Sequence, residues 1–412
     1  METVPKSEAE QAENFLDQNA EQFQPSNSVE PARDRDEFRS RLAVRAREQG
    51  FVRIGVAPAD PFLEAGQRFR DWLHQGFAGD MEYLAEFGCR ADPGRLLANA
   101  RSVVVAAAAL PRRSEPSTTA ASAPTGIVAD YALGLDYHIA LRSRLRRIGQ
   151  ALADLSGRAV WTRPCIDTAP LLEREAARRA GVGFIAKSTM LIVPGIGPRV
   201  LLASLVTDLE LWSEPIEKDR CGRCTACIDA CPTNAFVGPY RLDARRCLSY
   251  LTIEHQGSLP EATRRALDNR LIGCDVCQTV CPYDRTDSAE VMPSEMTPRA
   301  ALANPDLIRW LEMSASDYRR ITKRSALRRV GRVQLMRNAA VAIGNSRSPQ
   351  ALAALERALF SNKSPLVRAH AAWALGRYGS DHAKACLRRA LDVESDTSTR
   401  GEILAALEHQ TA

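Results

Sequence analysis

No apolar stretch in these 412 residues approaches the ~18 needed to cross a bilayer. The longest, residues 102–110 and 200–206, have the length of buried strands. No basic segment followed by an apolar one opens the chain, so no secretory leader is expected. The expectation is therefore a cytoplasmic protein without a membrane partner. Cations are nearly missing from residues 1–37, where Glu2, Glu8, Glu10, Glu13, Asp17 and Glu21 face Lys6 as the only early positive charge. This polar segment, residues 1–36, reads as a disordered acidic arm. Carboxylates are missing from residues 319–337, which carry Arg319, Arg320, Lys323, Arg324, Arg328, Arg329, Arg332 and Arg337. Such a run suits either a phosphate footprint or a solvated helix face. The net charge of +5 is modest and hides this polarity.

What the chain does have is cysteine, and most of it in one place. Eight of eleven cysteines lie between Cys221 and Cys281. In a cytosolic chain such clustering favours metal or catalysis over disulfides. Cys221, Cys224, Cys227 and Cys231 follow C-x2-C-x2-C-x3-C, with Pro232 next. Cys274, Cys277 and Cys281 follow C-x2-C-x3-C, with Pro282 next, and Cys247 stands between the two runs. This is the bacterial ferredoxin run given twice, the second copy stretched in its first half. Three thiolates two residues apart wrap one corner of a cubane, and the fourth serves the other cluster. Crossing over assigns Cys221, Cys224, Cys227 and Cys281 to one 4Fe-4S cluster. It assigns Cys231, Cys247, Cys274 and Cys277 to a second. Zinc also takes four-cysteine sites, but it does not need two C-x3-C-P terminations. Cys89, Cys165 and Cys386 lack partners at ligand spacing and read as small buried hydrophobes.

A pair of clusters needs something to reduce, and the usual signatures are missing. There is no Gly-x-Gly-x-x-Gly after a strand, and no radical-enzyme C-x3-C-x2-C outside the ferredoxin runs. Asp136-Tyr137-His138 continues without the glycine of the usual cobalamin lower-ligand motif. Read from its residues alone, the chain is an oxidoreductase with an unidentified acceptor.

The elements alternate over residues 37–212, which argues an α/β or α+β domain. Periodicity predicts a helix over 37–48 stopped by Gly50, strands over 51–57 and 102–109, and a long loop over 112–125. It further predicts a basic amphipathic helix over 136–155 and a short strand ending at Trp161. Next come a helix over 171–180 stopped by Gly181, and paired strands 191–194 and 200–206 around Gly195 and Gly197. The cluster domain spans 213–290. Residues 291–412 are helical and repetitive: AAVAIG at 339–344 recurs as AAWALG at 371–376 and ILAALE at 403–408. A period near 32 signals stacked HEAT-type helix pairs, too few to stand alone and so expected to dock on the preceding domain.

Residues 37 to about 290 resemble the epoxyqueuosine reductases, cobalamin-dependent enzymes that finish queuosine on tRNA. The resemblance is carried by YALGLDYH (131–138), DTAPLLER (167–174), AGVGFIAK (180–187) and CGRCTAC from Cys221. DARRCLSYLT (243–252) and NRLIGCD (269–275) complete it. It implies an α+β fold: an N-terminal α/β cobalamin-binding domain, a two-cluster ferredoxin-like domain and HEAT-like repeats. It implies reduction of the epoxide of epoxyqueuosine to the alkene at the tRNA wobble base, with loss of water. It also implies tRNA with a GUN anticodon as partner, an external donor of the flavodoxin or ferredoxin class, and a monomer.

Asp167 sits where the family has its proton donor, a role suited to a carboxyl whose pKa is raised by burial. On sequence, Asp167 or Thr168 ahead of Pro170 also reads as a helix N-cap. By resemblance Arg90, Ala129, Asp167, Leu191, Leu202, Ser249 and Asp275 contact cobalamin. Lys187 and Arg174 are candidates for substrate contact, and Tyr131 and His138 for the pocket wall. Ser204 departs from the family pattern, which has a glutamate there. Rival readings are a ferredoxin-type protein serving a partner enzyme, a cytoplasmic reductive dehalogenase, and an RNA- or protein-binding scaffold with structural clusters.

Overall fold

The computed structural model describes residues 20–85, 87–110, 124–285 and 296–408. Its centre is a five-stranded sheet: β1 (Glu21–Phe23), β2 (Arg53–Pro58), β3 (Ser102–Ala109), β5 (Val160–Cys165) and β8 (Val200–Thr207). The order is β1-β5-β8-β3-β2. Every neighbouring pair is antiparallel. The two-residue strands β4 (Ile127–Val128), β6 (Phe184–Ile185) and β7 (Leu191–Ile192) lie outside it.

The sequence of β3, SVVVAAAA, explains its position, because all eight residues are buried. Side chains alternate across a strand, so Val104, Ala106 and Ala108 enter one core while Val103, Val105 and Ala107 enter the other. Each fully buried valine contributes about 1.5–3 kcal/mol. Helix α1 (Arg35–Glu48), capped by Asp34, and helix α2 (Tyr137–Ser156), capped by Asp136, pack on the first core. Leu141, Leu145, Ile148 and Leu152 form the buried stripe of α2. Helix α3 (Glu173–Arg179) packs on the second core.

Several expectations change. Residues 1–19 lie outside the described residues, but the rest of the supposed arm is ordered structure. Glu21–Phe23 pairs with Val160–Thr162, and the Phe23 ring lies over Gly149. Trp161 does not end its strand; it is the second residue of β5, exposed on an otherwise buried strand. Residues 191–194 and 200–206 do not pair with each other. β7 pairs with β6, whereas β8 has enough apolar length to take the sheet centre between β3 and β5. The turn between them is closed by a Val193–Gly197 bridge, with Gly195 and Gly197 at positive φ. Most of the 112–125 loop lies outside the described residues.

The C-terminal repeats form α4 (Arg332–Ser346), α5 (Leu352–Ser361), α6 (Pro365–Gly376), α7 (Asp381–Val393) and α8 (Thr397–Glu408). The repeated small residues let helices touch. A Cβ at Gly344 would stand 2.8 Å from the Ala374 Cα, and one at Gly376 would stand 2.9 Å from the Ala406 Cβ.

The repeats dock on the cysteine-bearing segment through buried polar groups. Arg337, with 0% exposure, donates to the carbonyls of Leu251, His255 and Gly257. Asn338 donates to the carbonyls of Thr252 and Leu271, and the Leu259 amide donates to His370 Nε2 at 3.1 Å. Among the described residues no helix is long and apolar enough to cross a membrane.

Candidate active site and thiol cage

Two single-turn helices, Ala226–Asp229 and Val276–Thr279, each lie inside one cysteine run, and they pack against each other. None of the ten described cysteines is in a disulfide. Their mutual electrostatics link them. Cys227 feels Cys281 and Cys224, and Cys281 feels Cys221 and Cys224. Cys247 feels Cys274 and Cys231, and Cys277 feels Cys247, Cys274 and Cys227. The fold therefore brings the thiols of both runs and Cys247 close together. Burial pushes the thiols of Cys221, Cys227, Cys247, Cys274, Cys277 and Cys281 upward. Cluster assembly must therefore displace protons. The Ala235 amide already donates to Cys231 Sγ at 3.2 Å. Cys165 and Cys386 are buried and pushed up to about 12 and about 11, as expected of inert packing thiols.

The second assembly centres on Asp167. It follows β5 and adopts φ 49°, a left-handed conformation that non-glycine residues rarely hold outside over-determined sites. The helix-cap reading fails: the N-cap of α3 is Leu172, with no side-chain cap. The Asp167 amide instead donates to Glu173 Oε1 at 3.0 Å, which turns its carboxyl outward. Asp167 Oδ2 accepts from the Tyr137 hydroxyl at 2.7 Å and from Arg329 Nη1 at 2.5 Å. His138 Nε2 stands 3.6 Å away, and His138 Nδ1 meets Asp136 Oδ1 at 2.8 Å.

Burial raises the Asp167 pKa, but His138, Arg329 and Tyr137 together outweigh it and hold the carboxyl well below its ordinary range. The expectation of a burial-raised acid is thus corrected: the Tyr137 hydroxyl and the Arg329 guanidinium donate to the carboxylate and stabilise the anion, with His138 beside them. Its neighbour Glu173 is the opposite case. Burial, reinforced by the Asp167 charge, pushes it up to about 8. Burial also drives Tyr83 up to about 12, with Glu254 adding to it.

The two assemblies meet at Tyr131. Its ring lies 6.0 Å from that of Tyr137, and its edge is beside Gly273, next to Cys274. It feels both Asp275 and Asp167.

Family models match three consecutive parts of the chain: "Epoxyqueuosine reductase QueG, DUF1730" over residues 90–168, a 4Fe-4S double cluster binding domain over 220–284, and HEAT repeats over 324–408. The epoxyqueuosine reductase of Salmonella typhimurium is 38% identical over 338 residues, 80% of this chain and 85% of that one. The chain belongs to the epoxyqueuosine reductase family. A crystal structure of an epoxyqueuosine reductase with an epoxyqueuosine-modified tRNA-Tyr stem loop matches with a TM-score of 0.85 and 32% identity, over 92% of this chain and all of that one. The Bacillus subtilis epoxyqueuosine reductase, solved with an aspartate-bearing catalytic loop swung out of its active site, matches at 0.83 and 32%, over 91% and 100%. As an epoxyqueuosine reductase the chain is an oxidoreductase with a two-cluster domain.

Within this epoxyqueuosine reductase fold the other candidate residues divide. Ala129 and Asp275 are brought together: the Ala129 amide donates to Ile272 O, its methyl faces Gly273, and Asp275 Oδ2 accepts from the Asp130 amide. Ser249 is half-buried two residues after Cys247. Arg90 donates from Nη2 to Tyr83 O at 3.2 Å, and its buried Nε has no partner among the described residues. Leu191 is buried in the second core, and Leu202 is half-buried at its edge. Ser204 is buried in β8, its hydroxyl without a partner among the described residues, so its departure from the family pattern lies inside the sheet.

Lys187 and Arg174 turn out to be braces. Lys187 donates to Gly222 O and Cys224 O, and Arg174 donates to Thr189 O. The basic run is likewise narrower than its sequence, because Arg337 is buried and Arg332 donates to Met313 O. Arg319, Arg320, Lys323, Arg324 and Arg328 remain exposed. Sequence reasoning missed Glu173 and the inward role of Arg329. Glu173 lies inside the 167–174 motif six residues from Asp167 but nothing there marks its contact, and only the fold joins Arg329 to Asp167 across 162 residues.

Proposed function

We propose that the chain reduces epoxyqueuosine to queuosine at the wobble position of tRNA with a GUN anticodon, using two 4Fe-4S clusters and cobalamin, with Asp167 as proton donor. The carrying observation is the continuity from Asp167 through Tyr137 and Tyr131 to Gly273 and Cys274, which joins a proton site to a thiol cage.

The residues fit the groups the reading requires. Eight thiols outside any disulfide, within the segment matched by the double-cluster model, suit two cubanes. Cys221, Cys224, Cys227 and Cys281 would hold one, and Cys231, Cys247, Cys274 and Cys277 the other. The unpartnered Arg90 Nε suits a polar rim substituent of a corrin. Arg90, Ala129, Leu191, Leu202, Ser249, Asp275 and Asp167 would hold that group. When bound, cobalamin would supply reducing chemistry suited to an epoxide carbon–oxygen bond.

The chain's own residues supply the rest. Asp167 gives a proton to the oxygen as negative charge develops there. Tyr137 fixes the carboxyl through Oδ2, and Glu173 fixes its backbone. The catalytic aspartate loop that swings in the Bacillus subtilis relative supports a movable donor. Exposed Arg319, Lys323, Arg324 and Arg328 suit tRNA phosphates, and the target base must leave its stack to reach the pocket. Cys224 is exposed, an open edge where a flavodoxin- or ferredoxin-class donor can approach.

Anaerobic protein with cobalamin and a strong reductant should convert the wobble nucleoside of epoxyqueuosine-containing tRNA to a product one oxygen lighter by mass spectrometry. An unchanged nucleoside, with both clusters verified, would refute the reading.

A further inference from the structure

Arg329 creates a difficulty for the reaction proposed above. An arginine is a permanent cation that only donates. With Nη2 at 2.6 Å from His138 Nε2, that nitrogen must offer a lone pair, so while Arg329 stands there the imidazole is neutral with its proton on Nδ1 toward Asp136, although Asp136 and Asp167 draw its pKa upward against burial. With Nη1 and the Tyr137 hydroxyl both donating to Oδ2, Asp167 is a carboxylate. As arranged, neither group has a proton to give, yet turning an epoxide into an alkene and water consumes two protons with two electrons.

Arg329 is the movable member. Its side chain is 35% exposed, and it ends the turn Ala326–Arg329 beside exposed Arg328. The backbone around it is fastened: the Asp136 amide donates to Arg324 O at 2.9 Å, and the Tyr318 hydroxyl donates to Val330 O at 3.0 Å. The guanidinium can therefore turn outward without moving its loop.

We infer that Arg329 is a substrate-released latch: in the free enzyme it keeps the Asp167–His138 pair one proton short, and an RNA phosphate that draws it away lets the pair take a proton from water. The inference rests on the tRNA-reductase reading. Arg329 exchanges a carboxylate for a phosphodiester and stays charged. The pair gains one proton and Asp167 passes it to the oxygen released from the epoxide; a second proton from water completes its departure as water, the two electrons come from the reduced clusters and external donor of the proposed reaction, and Arg329 closes again when product leaves. The other charged or titratable groups facing the pair are Tyr137 and Asp136 from α2, Glu173 and Arg174 from α3, Glu254, Tyr83 with Arg90, and Tyr131. Glu173 holds its proton below about pH 8, kept there by burial before the Asp167 charge. Arg329 acts through Asp167 and is a positioning residue.

The test is proton linkage. Calorimetric titration of the cluster-loaded protein with a GUN anticodon stem-loop is run at pH 7 in two buffers of different ionisation enthalpy. Wild type should take up about one proton per RNA bound. Arg329→Gln should bind more weakly, by the loss of one phosphate contact, and take up little, because its pair is already protonated. Asp167→Asn should also lose the uptake. Zero uptake by wild type with binding intact, or equal uptake by Arg329→Gln, overturns the latch. Expected uptake with no epoxyqueuosine reduction overturns the enzymatic reading and leaves the latch standing. Absence of RNA binding overturns both.

Discussion

Asp167 is held by four groups from three parts of the chain: Tyr137 and His138 from the start of α2, Glu173 from α3, and Arg329 from the C-terminal part. Its side chain is 46% exposed, so replacing it leaves no cavity. Asp167→Asn keeps the shape, removes the negative charge and cannot deliver a carboxylic proton. We expect this variant to retain iron, sulfide and RNA binding while turnover falls by about 10²–10⁴, the range of a lost general acid. Single-turnover product analysis beside an iron assay checks it; undiminished product formation would remove Asp167 from the mechanism. The depressed pKa has a stability consequence of known sign. The Asp167 ion cluster stabilises the fold above the ordinary carboxylate pKa, and that contribution fades as pH falls below it toward the lowered folded value.

At the scale of elements, what the sequence made readable was local. Apolar periodicity placed α2, and the Asp136 cap agrees. The run of small apolar residues placed β3, and the repeated AAxAxG hexapeptides placed the repeats. Pairing partners were not readable. Nothing in residues 20–24 announces that Glu21–Phe23 adds an edge strand to β5, because the partner lies over a hundred residues away. For the same reason β8 went to the sheet centre and not to β7. The cysteine set was readable because ligand spacing is local, whereas the Arg329–Asp167 contact was not.

His370, inside α6, shows how an element's docking becomes pH-dependent. It accepts from the Leu259 amide through Nε2, and Nδ1 faces Leu366 O, so it must be neutral. Burial pushes its pKa down to about 3. The unfolded chain binds a proton below about 6.5 and the folded chain does not, so stability is lost as pH falls from that point toward 3. The slope should be about 1.4 kcal/mol per pH unit. Denaturant melts between pH 7 and 4 should show this slope on top of the carboxylate effects, and His370→Gln should flatten it. Parallel pH profiles would contradict the assignment.

At the scale of the whole molecule, three parts meet around Asp167 and Tyr131. The antiparallel sheet presents Asp167 just past the end of β5, the cysteine segment sets its thiols behind Tyr131 and Gly273, and the turn ahead of the repeats brings Arg329 across to Asp167. Arg337 and Asn338 fasten the repeats to the cysteine segment through buried carbonyls. This suits an enzyme whose RNA-facing cations must keep register with a pocket on another domain. The central claim is that electrons stored in the thiol cage reduce the epoxide. Two cubanes hold about two electrons, enough for one product. Pre-reduced, cobalamin-loaded protein, freed of excess reductant, is mixed anaerobically with an epoxyqueuosine stem-loop. About one queuosine per chain should form as the cluster spectrum reoxidises; clusters that stay reduced, or reoxidise without loss of the epoxide oxygen, would contradict the account.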